Sequence, residues 1–169
     1  QLKEMGCEKI WIGAESGSQK IIDHMDRKVK VEQVREMIIQ AQNFGIDAGT
    51  FIMIGYPEET FKDIKETIKH LKIASPKQFT ITVTYPIKGT SLYNQIESKI
   101  INKKAWSSST DRDIEFTRTY SRKYYDYAVR YIVNSVNADR QYKKENAYFR
   151  AYKSLVKLIF ARLAMAIYK

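Results

Sequence analysis

The sequence predicts an α/β fold with about three parallel strands, followed by a basic helical tail. Two observations carry this prediction. Strand-like and helix-like segments alternate from Leu2 to Leu92, whereas beyond Tyr93 the patterns are helical. Strands separated by single helices pair in parallel with right-handed crossovers. At 169 residues, the chain is long enough for one domain with a core, or for part of a larger one.

The strands are predicted from short apolar runs rich in β-branched and aromatic residues, at 8–15, 46–54 and 79–85. A helix is expected over 31–44, ended by Gly45. Thr60 and Asp63 have capping-box spacing and should open a second helix that runs to about Ala74. We expect the strands to be adjacent in the order of the sequence, centred near Ile12, Met53 and Val83.

The tail should begin after a Ser-rich linker at Trp106–Thr110. Capping-box spacing at Thr110–Asp113 predicts the start of a long helix there, and a last helix is expected at about 144–168. Aromatic residues at three- and four-residue steps form a stripe that indicates packing rather than a cofactor site. The stripe consists of Phe116, Tyr120, Tyr124, Tyr127 and Tyr131.

The positive charge is concentrated in the second part of the chain. Residues 1–100 carry 14 basic against 13 acidic residues, and residues 101–169 carry 15 against 6. Such asymmetry indicates an acidic partner, a membrane surface or nucleic acid, although a solvated helix face is the commoner cause. The last helix has an apolar side led by Tyr152, Leu155, Ile159 and Leu163. We favour packing of this side on the rest of the protein over binding to anionic lipid.

Several classes of site are not expected. One cysteine, Cys7, cannot form an internal disulfide or hold a thiolate cluster alone. His24 and His70 lack partners at metal-binding spacing, so no metal site is predicted. Trp11 is expected in the core. No run approaches the ~20 apolar residues of a membrane span, and no signal-peptide pattern is visible, so a cytoplasmic location is expected.

The chemistry is expected where the predicted strands end. Glycine, hydroxyl and carboxylate residues follow the three strands at Gly13–Ser18, Gly55–Thr60 and Tyr85–Thr90. In parallel α/β folds, ligands bind at the carboxyl ends of the strands. Each turn alone is weak evidence of a site, since any strand-to-helix turn uses such residues.

Together the turns resemble the radical S-adenosylmethionine (radical SAM) superfamily. The resemblance runs from Leu2 to about Tyr93 and lies in the segments Leu2–Cys7, Trp11–Ser18, Phe51–Thr60 and Tyr85–Tyr93. The sequence is most similar to the cobalamin-associated branch that contains proteins like the anaerobic magnesium-protoporphyrin IX monomethyl ester cyclase. Residues 114–125 also resemble the tail of that branch.

The resemblance implies that residues 1–98 form the carboxyl-terminal half of a (β/α)6 barrel, namely its fourth to sixth strands. Residues 99–111 would be a linker and 112–169 a helical basic tail. The end of the first predicted strand would bind the ribose or the amino acid part of S-adenosylmethionine. The end of the second would lie near its adenine. Either Glu58 or Glu59 could correspond to the glutamate of the family's fifth-strand motif, and Glu59 is favoured. The implied binding residues are Glu15, Ser16, Gly55, Pro57, Glu59 and Pro86. No catalytic residue is identified.

The three cluster cysteines of the family, spaced Cys-x3-Cys-x2-Cys, are missing from the chain. Three thiolates hold a [4Fe-4S] cluster that keeps one iron open. We therefore interpret the sequence as the carboxyl-terminal part of a larger enzyme, inactive without its amino-terminal half. Cobalamin is a candidate further cofactor.

The implied reaction is reductive cleavage of S-adenosylmethionine for radical or methyl-transfer chemistry on an unknown substrate. One alternative is a methylthiotransferase-like radical enzyme acting on RNA, although nucleic acid is not an expected partner. Another is a non-enzymatic binding module whose basic tail grips a membrane surface or an acidic protein.

Overall fold

A computed structural model of the protein describes residues 1–102, 110–143 and 147–169. Up to Val83, one or two helices separate successive strands, and the later elements are mainly helical. The strands are β1 (Lys9–Glu15), β2 (Asp47–Ile54), β3 (Gln78–Val83), β4 (Ile100–Asn102) and β5 (Glu115–Phe116). The α-helices are α1 (Gln19–His24), α2 (Val31–Asn43), α3 (Phe61–Ala74), α4 (Ser91–Ile96), α5 (Arg122–Tyr142) and α6 (Tyr148–Ile167).

The first three strands form one parallel sheet in the order β1-β2-β3. Ile12 is paired with Thr50, and Ile52 with Ile81. The Thr50 hydroxyl also donates to the Ile12 carbonyl oxygen at 2.7 Å, which ties β2 to β1. The predicted α/β fold, with its three adjacent parallel strands and helical tail, is confirmed.

The two faces of the sheet differ in burial. One face packs on α2 and α3, with Ile52 in contact with a core that includes Ile38, Ile64 and Leu71. On the other face, the Trp11 and Phe51 rings stack with centroids 4.7 Å apart, and Trp11 is 42 % exposed. The prediction that Trp11 belongs to the core is wrong for the described residues. Strand alternation directs its side chain to the face opposite α2 and α3.

The α3 helix begins as predicted. Thr60 is the N-cap, and its backbone N–H and hydroxyl donate to the Asp63 carboxylate at 2.8 and 2.6 Å. The α2 helix ends just before Gly45, whose φ of +74° suits glycine. These local signals fix where the helices meet the strands, and hence where the turns of the site lie.

The predicted start of the long tail helix at Thr110 is wrong. Asp111–Asp113 is a single 3-10 turn, and the backbone then extends so that Phe116 pairs with Ile100 in the antiparallel pair β4-β5. The capping box closed by Thr110 and Asp113 is formed, but it caps only this turn. Helix α5 begins at Arg122 behind a second cap, Ser121. Phe116 and Tyr120 therefore lie outside the helix.

Helices α5 and α6 form an antiparallel hairpin beside α3 and β3. The tyrosine stripe packs as predicted, since Tyr120, Tyr124, Tyr127 and Tyr131 contact the core. Most of the predicted Ser-rich linker (106–109) and the predicted first residues of the last helix (144–146) lie outside the described residues.

Helix α6 packs on α5 through a face of mostly small residues, including Ala151, Ser154 and Ala161. The large apolar side chains of α6 point away from that contact. The favoured prediction that they pack on the rest of the protein is wrong for the described residues, because Tyr152, Leu155, Ile159 and Leu163 are 48 to 64 % exposed. The described helices include none with the length and apolar content needed to cross a membrane.

Candidate ligand site at the carboxyl edge of the sheet

The parallel sheet brings the three predicted turns to one edge. Glu15 ends β1 opposite Ile52, and Gly55 follows β2 directly. Beyond β3, Thr84 donates from its N–H to the Ile54 carbonyl oxygen at 2.7 Å, so this turn stays attached to β2. Residues up to 71 positions apart in the sequence, from Glu15 to Pro86, thus follow neighbouring strand ends.

Glu15 stands at a bulge that turns its side chain back over Gly13. Its φ is +58°, and the strand register shifts between Gly13 and Glu15. A Cβ at position 13 would lie 2.7 Å from the Glu15 Oε1 atom and 3.3 Å from the Arg27 guanidinium. Arg27 also donates to the Gly13 carbonyl oxygen at 3.2 Å. The bare glycine makes the space that this carboxylate occupies.

The electrostatics of Glu15 reflect two opposing effects. Partial burial raises the pKa of its carboxyl group, and the Arg27 charge 3.9 Å away counteracts that rise. The side chain remains 19 % exposed. It can therefore accept hydrogen bonds from a polar ligand at the open face of the sheet.

Ser16 is turned inward. It is 1 % exposed, and its hydroxyl lies 3.2 Å from the Thr67 hydroxyl of α3 and accepts from the Ser18 backbone N–H at 3.1 Å. Thr67 also accepts from the Gly17 N–H at 2.9 Å. The structure thus places Ser16 in a buried network that fastens the first turn to α3.

Asp63 joins two of the turns. It accepts from the Ser18 hydroxyl at 2.7 Å and from Thr60, which opens α3. Burial by itself would raise the pKa of Asp63, but the hydrogen bonds from Thr60 and Ser18 lower it overall. The ionised carboxylate therefore stabilises the first and second turns together.

Gly55 and Glu59 make the second turn rigid. Gly55 has a φ of +79°, and its N–H donates to the Glu59 Oε2 atom at 2.5 Å. Glu59 is fully buried, and desolvation raises its pKa to about 8, so it is mostly neutral at pH 7. Its Oε1 atom has no hydrogen-bond partner within the described residues. Glu58, in contrast, is exposed.

Aromatic side chains of the tail cover this turn. The Tyr125 ring of α5 lies against Gly55, where an added Cβ would meet it at 3.4 Å. Pro57 is half-buried and Pro86 is buried. The tail thus packs against the second turn.

Arg118 supports the third turn. Its guanidinium donates to the Thr84 carbonyl oxygen at 3.0 Å, lies over the Phe116 ring at 3.9 Å, and forms an ion pair with Glu115 at 3.1 Å. Burial lowers its pKa, although Glu115 counteracts this effect.

Sequence reasoning missed Arg27, Arg118 and Tyr125. Arg27 follows α1, Arg118 follows β5 and Tyr125 belongs to α5, so no spacing within one motif marks them. Tyr125 follows Tyr124 of the aromatic stripe directly, but the spacing that defines the stripe does not include it.

The described residues contain no cluster of three or more histidine, cysteine or acidic side chains that could hold a metal ion. His70 is fully buried in α3, where desolvation lowers its pKa to about 4 and keeps it neutral. His24 closes α1, and Cys7 precedes β1.

Comparisons with known proteins agree with this arrangement. The model of the radical SAM superfamily matches residues 1–71. The chain is 34 % identical over 116 residues to an uncharacterized methyltransferase of Pyrococcus horikoshii, covering 66 % of this chain and 25 % of that protein. It is 24 % identical over 133 residues to the tRNA-2-methylthio-N(6)-dimethylallyladenosine synthase of Thermosipho melanesiensis, covering 76 % and 31 %.

Among solved structures, the chain resembles the archaeal Elp3 of Methanocaldococcus infernus with an amino-terminal deletion. The TM-score is 0.55 at 17 % identity, over 81 % of this chain and 28 % of that one, and it shows the fold alone. The chain spans about a quarter to a third of the length of these relatives. Through the part that contains the first two strands and the turns after them, residues 1–71, the chain belongs to the radical SAM superfamily.

Proposed function

We propose that the protein is a radical SAM enzyme in which these residues supply one side of the S-adenosylmethionine pocket. The observation that supports this most directly is the Glu15 carboxylate, held over Gly13 by the bulge and by Arg27. It stands at the same edge as the Gly55 turn, and this is the edge where parallel α/β folds bind ligands.

The residues present suit S-adenosylmethionine but not the iron-sulfur cluster. A partly exposed carboxylate beside a glycine cradle can accept from the ribose hydroxyls or the amino group of the ligand. One cysteine cannot supply the three thiolates of a [4Fe-4S] cluster. Our proposal therefore assigns the cluster ligands to residues outside these 169. When bound, the cluster would supply the electron that cleaves a carbon–sulfur bond of the sulfonium group.

Each residue of the site then has a distinct task. Glu15 accepts hydrogen bonds from the ligand, and Arg27 orients its carboxylate. The Gly55 turn brings the backbone close to the adenine, and neutral Glu59 keeps that turn fixed through the Gly55 N–H. Ser16 and Pro86 are buried, so they shape the pocket from behind.

We further propose methyl transfer as the reaction, since a relative in Pyrococcus horikoshii is described as a methyltransferase. Cobalamin, the methyl carrier of the branch that the sequence resembles, belongs to this proposal and is tested by cobalt content. We propose a cytoplasmic location, where S-adenosylmethionine is made. The alternative reaction is methylthiolation of RNA, because a second relative is described as a tRNA-2-methylthio-N(6)-dimethylallyladenosine synthase.

The test is calorimetric titration of S-adenosylmethionine into the full-length protein with its cluster reconstituted under anaerobic conditions. Replacing Glu15→Ala should weaken binding by about 1 to 3 kcal/mol, because ligand donors lose their acceptor. The matched control is Glu8→Ala, an exposed carboxylate at the opposite end of β1, which should leave binding unchanged.

Mass spectrometry of the products then separates the reactions. S-adenosylhomocysteine and a methylated product support methyl transfer, and methylthiolated RNA supports the alternative. Wild-type affinity in the Glu15→Ala variant would remove Glu15 from the site. A full-length protein that neither binds nor cleaves S-adenosylmethionine would overturn the enzyme proposal.

A further inference from the structure

The outward face of α6 is apolar along its whole length. At 100° per residue, its large apolar side chains fall within a sector of roughly 140°. These side chains are 48 to 77 % exposed. A single exposed apolar residue is common on protein surfaces and needs no explanation. A contiguous apolar patch on a surface marks an interaction site. The outward face consists of Tyr148, Phe149, Tyr152, Leu155, Ile159, Phe160, Leu163 and Ile167.

This face is separate from the one that holds α6 in the fold. The opposite side packs on α5 through Ala151, Ser154, Ala161 and Met165, which are all buried. The Ser121 hydroxyl also donates to the Tyr168 carbonyl oxygen at 2.6 Å and so ties the end of α6 to the start of α5. The helix is thus fixed on one side and presents its larger apolar groups on the other.

Basic residues border the outward face on both sides. Residues 147–169 contain five lysines and arginines and no acidic residue. Lys153 and Lys157 follow one border. Arg162 lies on the other, with its guanidinium 4.2 Å from the centre of the Phe61 ring of α3. An apolar strip between two basic borders is the pattern of a helix that lies in a lipid-water interface.

A basic cleft of about 780 Å³ lies between α3 and the α5-α6 hairpin. Its lining includes Lys65, Lys69 and Lys72 of α3, and Leu158 of α6. The acidic residue of the lining, Asp139, forms an ion pair with Lys143 at 2.6 Å. Within the described residues, no ion pair involves Lys69 or Lys72, so their ammonium groups remain available to an anion.

We propose that α6 docks on the surface of an anionic lipid bilayer, with the outward face among the acyl chains and the α3 lysines at the lipid phosphates. The anionic headgroups complement both the borders of α6 and the cleft. This proposal goes beyond the proposed function and does not depend on it.

Two other occupants fit less well. A second copy paired through α6 would bring two helices without acidic residues together, so like charges would face each other. A preceding strand of a barrel would pair at the free edge of β1, whereas α5 and α6 lie toward β3, at the other end of the sheet. Nucleic acid would use the lysines but leave the apolar face exposed.

The test is co-sedimentation of the full-length protein with vesicles of phosphatidylcholine alone or with one quarter phosphatidylglycerol. We expect binding to the anionic vesicles that weakens as salt is raised. Ile159→Ser and Leu163→Ser should each lower the partition coefficient roughly tenfold. Lys69→Gln and Lys72→Gln should each lower it about fivefold.

Matched controls lie on other surfaces. Met37→Ser removes an exposed apolar side chain of α2, and Lys3→Gln and Lys28→Gln remove exposed charges near β1 and after α1. None of these should change the partition coefficient. Thermal melting should be unchanged in all variants, because every altered side chain is at the surface.

Other results would overturn the proposal. They include an absence of anionic-vesicle binding and an equal loss in the control variants. If Ile159→Ser and Leu163→Ser change the molar mass measured by light scattering instead, the face joins two copies. If they instead lower the melting temperature, another part of the protein covers it. RNA binding that needs the lysines but not Leu163 would assign the cleft to nucleic acid.

Discussion

Glu59 is a carboxyl group that the fold keeps protonated. Its pKa is raised from 4.5 to about 8, chiefly by burial, while the hydrogen bond from Gly55 counteracts part of the rise. Between these two values the folded state holds a proton that the unfolded chain has released. Stability should therefore fall as the pH rises through this window, by about 3 kcal/mol between pH 5 and 8.

Replacing Glu59→Gln should remove that pH dependence, because the amide oxygen can still accept from Gly55 but no proton can be lost. Urea denaturation at pH 5, 7 and 8.5 measures the effect. The neighbouring Glu58→Gln is the control, since Glu58 is exposed and should leave the slope unchanged. An unaltered slope in Glu59→Gln would mean that another group titrates.

Gly13 tests the position of the Glu15 carboxylate without altering its charge. The Cβ of Gly13→Ala would meet the flexible end of Glu15 at 2.7 Å, so the carboxylate must move while the backbone need not. We expect a loss of stability under about 1 kcal/mol and a weaker affinity for S-adenosylmethionine, measured by denaturation and calorimetry.

Gly17 is the contrasting position. A Cβ there would lie 2.5 Å from the Thr67 Cα atom and 2.6 Å from the Glu66 carbonyl oxygen. Because backbone cannot yield as a side chain can, Gly17→Ala should cost several kcal/mol, on the order of 3. Equal stability losses at Gly13 and Gly17 would contradict the cradle described for Glu15.

At the scale of elements, Ser121 decides where α5 begins. Its hydroxyl accepts from the Tyr124 N–H at 3.2 Å and donates to the Tyr168 carbonyl oxygen at 2.6 Å. Ser121→Ala should therefore cost about 1 to 2 kcal/mol, since it removes a cap and the link to α6. Thr110→Ala, which caps only the 3-10 turn, should cost under about 0.5 kcal/mol in the same denaturation experiment. A larger loss of stability in Thr110→Ala than in Ser121→Ala would mean that the helical tail begins at Thr110 after all.

At the scale of the whole molecule, β1 forms one edge of the parallel sheet. The outer edge of β1 has no partner strand among the described residues, and the exposed face of the sheet carries Trp11 and Phe51. An unpaired edge with exposed apolar groups is prone to association. If preceding barrel strands cover it, amides of 9–15 should exchange with deuterium more slowly in the full-length protein than in the isolated chain. Equal rates, measured by mass spectrometry on that peptide, would contradict a barrel continued at β1.

The sheet and its helices were predictable because their signals are local. Alternating apolar runs, the Thr60–Asp63 capping box and Gly45 each act within a few residues. The same locality explains the error at Thr110, where a real cap opens only one turn because Phe116 pairs with Ile100 from a distant part of the chain. For the site, the sequence predicted that the strand ends carry it, but it did not predict that Ser16 turns inward to contact Thr67.

The sequence by itself determined the order of strands and helices, the turns at the carboxyl edge and the superfamily resemblance. These depend on periodicity and on residue types at short spacing. Only the tertiary structure decided which groups meet at the edge, such as Arg27 beside Glu15 and Tyr125 against Gly55, and which side of α6 is exposed. Burial, pKa and partner choice arise from residues far apart in the sequence, so no local pattern encodes them.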